Sequence, residues 1–279
     1  MDSGFDEKKL RRIHRRFFVS ARRIHQEDGQ LIADLDQDSA HHIRTVLRIG
    51  AGAKIVLFDG SGKEYLAEIM ESKPSRIRTK ILETKSPETE SGLELTLAQA
   101  IIKEQAFDKI LTSATELGIK KIIPILCKRV VVKINSRDID QKLFRWSKIL
   151  EEAASLSGRV KVPRIDYPVE LSKLLLEKFD GTKIIMWEKA QGGELERMRN
   201  EKREIVRADP GVCPMRNEKR ETRNILLLVG PEGGFEDQEA EAAIAAGFVP
   251  LGLGPRILRA ETAPIAAISI LQYLFGDLS

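Results

Sequence analysis

The sequence predicts a chain in two parts: a small β-barrel, then an α/β domain on a mostly parallel sheet with both faces covered. Three observations carry this. Through Thr84 the chain shows short alternating apolar segments separated by turn residues, with one helical pattern among them, the signature of short half-buried strands. From Leu93 onward, apolar runs of strand length alternate with stretches of helix length, the rhythm of a parallel sheet flanked by helices. Between the two regimes lies Pro87–Gly92 (PETESG), which has the composition of a linker. The boundaries that follow are a tail over 1–12, a first domain over 13–88 and a second over 92–279, and 279 residues are enough for both.

Each element has its own warrant. Arg15–Ser20 (RRFFVS) reads as a strand with arginines at its mouth. Asp38–Arg48 opens with an Asp/Ser capping option and spaces Ile43, Val46 and Leu47 for one helical face, leaving His41, Arg44 and Arg48 on the other. Lys54–Phe58 and Glu64–Met70 alternate on either side of Asp59-Gly60-Ser61-Gly62, a hairpin signal, and Arg76–Thr84 adds a further strand. In the second domain the strands are Leu93–Ala100, Lys121–Leu126, Lys183–Trp187, Ile225–Val229 and Val249–Leu251. The helices are Glu104–Leu117, Asp140–Leu156, Val169–Phe179, Asp237–Ala246 and Pro264–Phe275, with Gly118 as the terminating glycine of the first. Residues 190–223 break the rhythm: they are highly charged, and MRNEKRE at Met198–Glu204 recurs 17 residues on, at Met215–Glu221. Two copies do not make a solenoid; the segment reads as a solvated surface insertion or as an added RNA-contacting arm.

Composition narrows the function classes. A net charge of +4 is weak evidence for an anionic partner, but its distribution says more, with Lys8, Lys9, Arg11, Arg12, Arg15, Arg16, Arg22 and Arg23 clustered near the start. Cys127 and Cys213 are isolated, so neither a disulfide framework nor a zinc site is expected, and no metal is expected at all. No apolar run approaches the roughly 20 residues of a membrane span, and the start lacks the apolar core of a secretory signal. A cytoplasmic protein is the expectation.

Two glycine-rich pieces near the C-terminus stand out. Leu226–Glu239 (LLLVGPEGGFEDQE) and Leu251–Ala267 (LGLGPRILRAETAPIAA) each run from an apolar strand through Gly and Pro into a helical pattern, as strands feeding ligand loops do. GPEGG fits a close backbone approach to a ligand or an ordinary tight turn. There is no GxxxxGK[ST], so a P-loop is unsupported, and in LGLGPR the residues Pro255 and Arg256 stand where a dinucleotide fingerprint needs its helix. LGPRILRAETA combines a rigid Gly254-Pro255 turn, apolar Ile257 and Leu258, and Arg259 and Glu261 around a bend, with Thr262 able to cap the next helix. An apolar pocket edged by backbone amides, suited to an adenine ring and a sulfonium, and a plain helix start both fit it.

Taken together, RRFFV, HHIRTVLRIGAG, LFDGSG, AQAIIKEQAFDKILTSATELGI, IIPILCKRVV, WSKILEEAASLSGR, GPEGGF and LGPRILRAETA resemble, in order and over nearly the whole chain, the RsmE family of bacterial 16S ribosomal RNA uridine-N3 methyltransferases in the SPOUT superfamily. The resemblance implies a PUA-like β-barrel that helps hold RNA and a SPOUT-type domain with a deep trefoil knot. It further implies S-adenosylmethionine as methyl donor, a homodimer, and 16S ribosomal RNA or the small ribosomal subunit as partner. Another RNA, such as transfer RNA, or a non-catalytic RNA-binding assembly factor are the alternatives. The chain departs from the family pattern at Leu156, where a Gln is usual, at Glu104-Gln105, and in the length of 190–223.

Carried onto this sequence, the resemblance places Val229, Gly230, Gly234, Leu251, Gly252, Leu253, Gly254, Ile257, Leu258, Arg259 and Ala263 around the donor. Uracil N3 holds a proton at neutral pH, so a base or a cation that stabilises the uracil anion is required. Glu232, Arg259 and Glu261 are the candidates, with Arg259 favoured and Glu261 able to serve a structural purpose instead. Arg15, Arg16, Arg44, Arg48, Lys103, Arg129 and Arg159 are the expected RNA contacts, against the alternative of ordinary surface charge.

Overall fold

The computed structural model describes residues 15–130, 138–190, 193, 197, 200 and 223–278. The tail over 1–12, the lysines and arginines before Arg15, both MRNEKRE copies apart from Asn200, and Cys213 lie outside the described residues. The chain divides into two compact units: residues up to Glu90 with Glu151–Val162, and Ser91–Leu150 with Pro163 onward.

The first unit contains β1 (Arg16–Phe18), β2 (Ile24–Glu27), β3 (Gln30–Leu35), helix α1 (Gln37–His41), β4 (Lys54–Phe58), β5 (Glu64–Lys73) and β6 (Arg76–Lys85). They form one sheet in the order β1-β4-β5-β6-β3-β2, antiparallel except for the parallel β1–β4 pair. Two register shifts in the β5–β6 ladder, at Leu66/Ala67 and Ile69/Glu71, bend the long hairpin. Its inward positions, among them Leu35, Ile43, Ile55, Leu57, Ile69 and Ile77, make a single apolar core. The β2–β3 hairpin has no counterpart in the sequence reading, although it turns on Asp28 and Gly29, both at positive φ. Helix α1 starts earlier than expected: Asp36, not Asp38, is its cap, accepting the Ser39 amide at 2.9 Å, and a π turn over His42–Val46 continues it.

The second unit contains β7 (Glu94–Ala100), α2 (Glu104–Glu116), β8 (Lys121–Leu126), α3 (Ile139–Ser157, whose last turns belong to the first unit), β9 (Arg164–Ile165), β10 (Val169–Glu170) and α4 (Leu171–Leu176). It continues with β11 (Thr182–Met186), β12 (Asn224–Val229), α5 (Asp237–Ala245), β13 (Val249–Leu251) and α6 (Thr262–Phe275). Every pairing is parallel, in the order β10-β8-β7-β12-β11-β13 with β9 beside β8. The central strands β7 and β12 are buried almost throughout, which explains their unbroken apolar runs. Gly118 closes α2 at φ 85°, as its position in the sequence requires. Because all strands point one way, the segments after Ala100, Leu126, Met186, Val229 and Leu251 leave from one edge of the sheet, where open α/β sheets bind ligands. No helix is long and apolar enough to cross a membrane among the described residues.

Candidate functional site

The two glycine-rich loops leave from β12 and β13, which flank β11. The register sets Val229 beside Gln99 and Met186 beside Leu251, so Gly230 and Gly252 begin at the same edge, one strand apart. The segment after β11 lies between them and touches both. The Trp187 amide donates to the Leu251 carbonyl at 3.1 Å, and the Ala190 carbonyl lies 3.3 Å from where a Cβ on Gly252 would sit. On the other side, the Glu188 carboxylate lies 3.3 Å from the corresponding point on Gly234.

The GPEGG loop is tied down along its length. Gln99 Nε2 donates to the Gly230 carbonyl at 3.4 Å and to that of Ala100 at 3.1 Å. The Phe235 ring lies 3.0 Å from where a Gly230 Cβ would be, so any side chain there would press on the ring. Glu232 accepts the Lys103 backbone amide at 3.1 Å, Arg129 Nη1 donates to the Gly233 carbonyl at 3.0 Å, and Gly234 turns at φ 67°. Beyond the loop, Glu236 and Glu239 close a capping box on α5, while the second oxygen of Glu239 accepts the Lys128 amide at 2.9 Å. The loop is thus tied to the segments after β7 and β8: Glu232, chosen from the sequence for chemistry, accepts the Lys103 amide, and Arg129, chosen for RNA, holds the Gly233 carbonyl.

The second loop is more open. Leu251 is buried, Gly252, Leu253 and Leu258 are half-buried, and Gly254 turns at φ 89°. Ile257 is 87% exposed. Arg259 extends into solvent, with its guanidinium 3.9 Å from Glu261, which is largely covered. The Arg259 carbonyl accepts the amides of Thr262 and Ala263, both at 2.9 Å, so the turn before α6 is closed by backbone. The expected Thr262 cap is not formed: Thr262 is the first helical residue, and Glu261 occupies the cap position without a side-chain bond. Cys127, beside Glu239, has its thiol pushed up to about 12 by burial and then by that carboxylate, which keeps it protonated at neutral pH.

The arginines expected to meet RNA divide in two. Arg44, Arg48, Lys103 and Arg129 are exposed and Arg15 half-buried. Arg16 and Arg159 turn inward. Arg159 is buried against Glu90, with Nη2 to Oε2 at 2.6 Å, and Arg16 lies over the Phe58 ring at 4.5 Å, pairs with Glu64 at 3.2 Å and donates to the Arg159 carbonyl at 2.8 Å. Sequence reasoning missed Gln99, Trp187 and Glu188 beside the loops; their place next to strand ends was the only signal available. Trp187 Nε1 and Gln99 Oε1 are buried and have no hydrogen-bond partner among the described residues. No group of three His, Cys, Asp or Glu able to hold a metal ion occurs among them either.

Comparison with known proteins gives this arrangement a family. Residues 89–272 match the model of an RNA methyltransferase domain, and residues 35–82 that of an RNA methyltransferase PUA domain. The ribosomal RNA small subunit methyltransferase E of Synechocystis sp. is 32% identical over 92% of this chain and 79% of its own length; that of Bacillus subtilis is 29% identical over 92% and 96%. Among solved structures, a ribosomal RNA small subunit methyltransferase E from Neisseria gonorrhoeae bound to S-adenosylmethionine is 31% identical, covers 95% of this chain and 99% of its own, and superposes with a TM-score of 0.75. A methyltransferase from Legionella pneumophila with the same cofactor bound reaches 0.81 at 29% identity, again over 95% and 99%. A methyltransferase domain over most of the chain, a PUA domain before it, and relatives of one name matching almost end to end place this chain in the ribosomal RNA small subunit methyltransferase E family.

Proposed function

We propose that the protein transfers a methyl group from S-adenosylmethionine to N3 of a uridine in 16S ribosomal RNA. The observation that carries the reading is the pair of glycine loops at one edge of the parallel sheet, held on either side of the segment after β11. The residues fit the donor. Gly230 and Gly252 stand where a side chain would crowd Phe235 and the Ala190 carbonyl, so both loops present bare backbone; Val229, Leu251 and Leu258 supply apolar surface, and the buried Trp187 Nε1 remains to be hydrogen-bonded. Val229, Gly230, Gly234, Leu251, Gly252, Leu253, Gly254, Leu258 and Ala263 would hold it, largely through backbone groups. S-adenosylmethionine supplies an electrophilic methyl group on a sulfonium, so the protein's task is to align the uracil and help remove its N3 proton. Arg259, solvent-exposed and only loosely paired with Glu261, would stabilise the uracil anion. Glu232 is occupied as the acceptor of the Lys103 amide and is the weaker candidate for the proton.

In the same reading, 13–88 is the PUA-like RNA-holding domain and 92–279 the SPOUT domain with its trefoil knot. Arg15, Arg44, Arg48, Lys103 and Arg129 form the RNA-contacting set; Arg16 and Arg159 are left out of it because their guanidinium groups are committed to Glu64 and Glu90. The protein works as a cytoplasmic homodimer, and exposed Ile257 and Tyr273, at 87% and 60%, are the apolar groups that a second copy would cover. Mass mapping of 16S ribosomal RNA from a strain lacking the protein should find one uridine unmethylated at N3, restored by the purified enzyme. A fully methylated 16S RNA alongside a missing mark on transfer RNA would transfer the activity to that substrate. Failure of the folded protein to bind S-adenosylmethionine in a calorimetric titration would leave only a binding role.

A further inference from the structure

Gln99 is the penultimate residue of β7, in register with Val229 on one side and Pro124 on the other, and it is completely buried. Its amide has one sensible orientation. Two carbonyls, Ala100 at 3.1 Å and Gly230 at 3.4 Å, face the same end of the side chain, so that end must be the nitrogen. The oxygen is then buried with no partner among the described residues. A buried acceptor left unsatisfied is a cost to the fold; an apolar side chain of the same size avoids it but leaves the two carbonyls without this donor. For the core these two effects oppose each other, and what the amide adds is a donor aimed at two carbonyls. It donates to the carbonyl of the first residue of the GPEGG loop, and the Phe235 ring lies 3.0 Å from where a Cβ on that glycine would sit. The Gly230 carbonyl is thus held by Gln99, and Phe235 packs against the position a Gly230 side chain would take.

We infer that Gln99 is a positioning residue for the methyl donor, resting on the proposed function: it sets the Gly230 peptide in the orientation that binding requires. Gln99→Met keeps the volume and removes the donor. Its expected signature is a protein that still melts cooperatively, with the dissociation constant for S-adenosylmethionine raised about three- to tenfold, as the loss of one neutral hydrogen bond implies. RNA affinity, read separately by fluorescence anisotropy, stays unchanged. A residue that merely supports the fold gives the reverse, a lowered melting temperature with unchanged donor affinity, and that result overturns the inference. A second measurement needs no variant: in isotope-labelled wild-type protein, the Gln99 side-chain amide resonances shift when S-adenosylmethionine saturates the protein, and resonances that do not move overturn the inference even if Gln99→Met fails to fold. If the wild type itself binds no S-adenosylmethionine, the functional reading fails first, and the two failures are distinguishable.

Discussion

Asp59 shows how much one side chain can fix. Burial pushes its pKa up, but hydrogen bonds from the Ser61 hydroxyl, the Ser61 amide and the Tyr65 hydroxyl, with the Lys63 charge, outweigh it, and the carboxyl titrates below its usual value. A depressed carboxylate stabilises the fold above its unfolded value, and that contribution is lost as pH falls through the folded value. Urea unfolding should therefore separate wild type from Asp59→Ala at pH 7, and the gap should begin to narrow near pH 4, the unfolded carboxylate range, and shrink further as pH falls through the folded value. Arg259 belongs to the same scale. Its guanidinium makes only the 3.9 Å approach to Glu261, so Arg259→Ala should leave the melting temperature and donor affinity unchanged and lower kcat by about 100-fold, the range seen when one preorganised charge-stabilising donor is removed. A single-turnover assay with saturating donor reads this directly, and an unchanged rate would move the proton chemistry elsewhere. The sequence made Arg259 conspicuous through its setting in LGPRILRAETA. It hid the inward arginines, because Arg16 and Arg159 look like surface charge until Glu64 and Glu90 are folded against them.

Among elements, α6 is the one whose attachment is least visible in the sequence. Its apolar character announces a buried helix, yet a buried polar group fixes its C-terminal end. Gln272 accepts the Ser91 hydroxyl at 2.7 Å and donates to the Leu117 carbonyl at 2.8 Å, joining α6 to the entry of β7 and the end of α2. Gly276 leaves this clamp its space: a Cβ there would lie 1.8 Å from Gln272 Oε1 and 2.9 Å from Ser91 Oγ. Gln272→Leu takes their partner from the Ser91 hydroxyl and the Leu117 carbonyl and should cost about 2–6 kcal/mol, at about 1–3 kcal/mol for each. Gly276→Ala should cost a similar amount by expelling the Gln272 amide, because that side chain is held at both ends and cannot yield. Since both act through one clamp, the double variant should fall well short of the sum, and denaturant melts of the three proteins check it; full additivity would show two independent sites. Nothing in a sequence separates a buried glutamine from an exposed one, so Gln272, like Gln99, was illegible. The apolar strands and the Gly118 stop were legible because burial on both faces and a left-handed residue each restrict composition directly. The β2–β3 hairpin lay between: its Asp-Gly turn signal is present, but His25, Gln26 and Glu27 blur the alternation that would have confirmed it.

At the scale of the molecule, the charged stretch over 190–223 takes on a meaning that its composition concealed. As a sequence it reads as a dispensable insertion between two core strands. The sheet makes those strands, β11 and β12, neighbours running parallel, with Ile185 beside Leu228. The connection must therefore return from the end of one strand to the start of the next, which takes roughly a dozen residues or more. Its ends are anchored: the Arg223 carbonyl accepts the Glu94 amide at 3.0 Å, the Arg223 guanidinium lies 4.6 Å from the centre of the Phe275 ring, and Ala190 lies against Gly252. Two deletions should then behave oppositely. Removing residues 205–221, one repeat length with the second MRNEKRE copy, leaves enough chain for the crossover, so the melting temperature and donor affinity should match the full-length protein. Removing 191–222 joins Ala190 to Arg223 directly, so β12 cannot reach its place between β7 and β11, and the protein should lose its cooperative melt. Thermal melts followed by calorimetric titration with S-adenosylmethionine distinguish the outcomes. If the shorter deletion abolishes donor binding while the fold persists, the repeat serves the site as well as the crossover; if the longer one still folds, the parallel pairing of β11 with β12 is wrong.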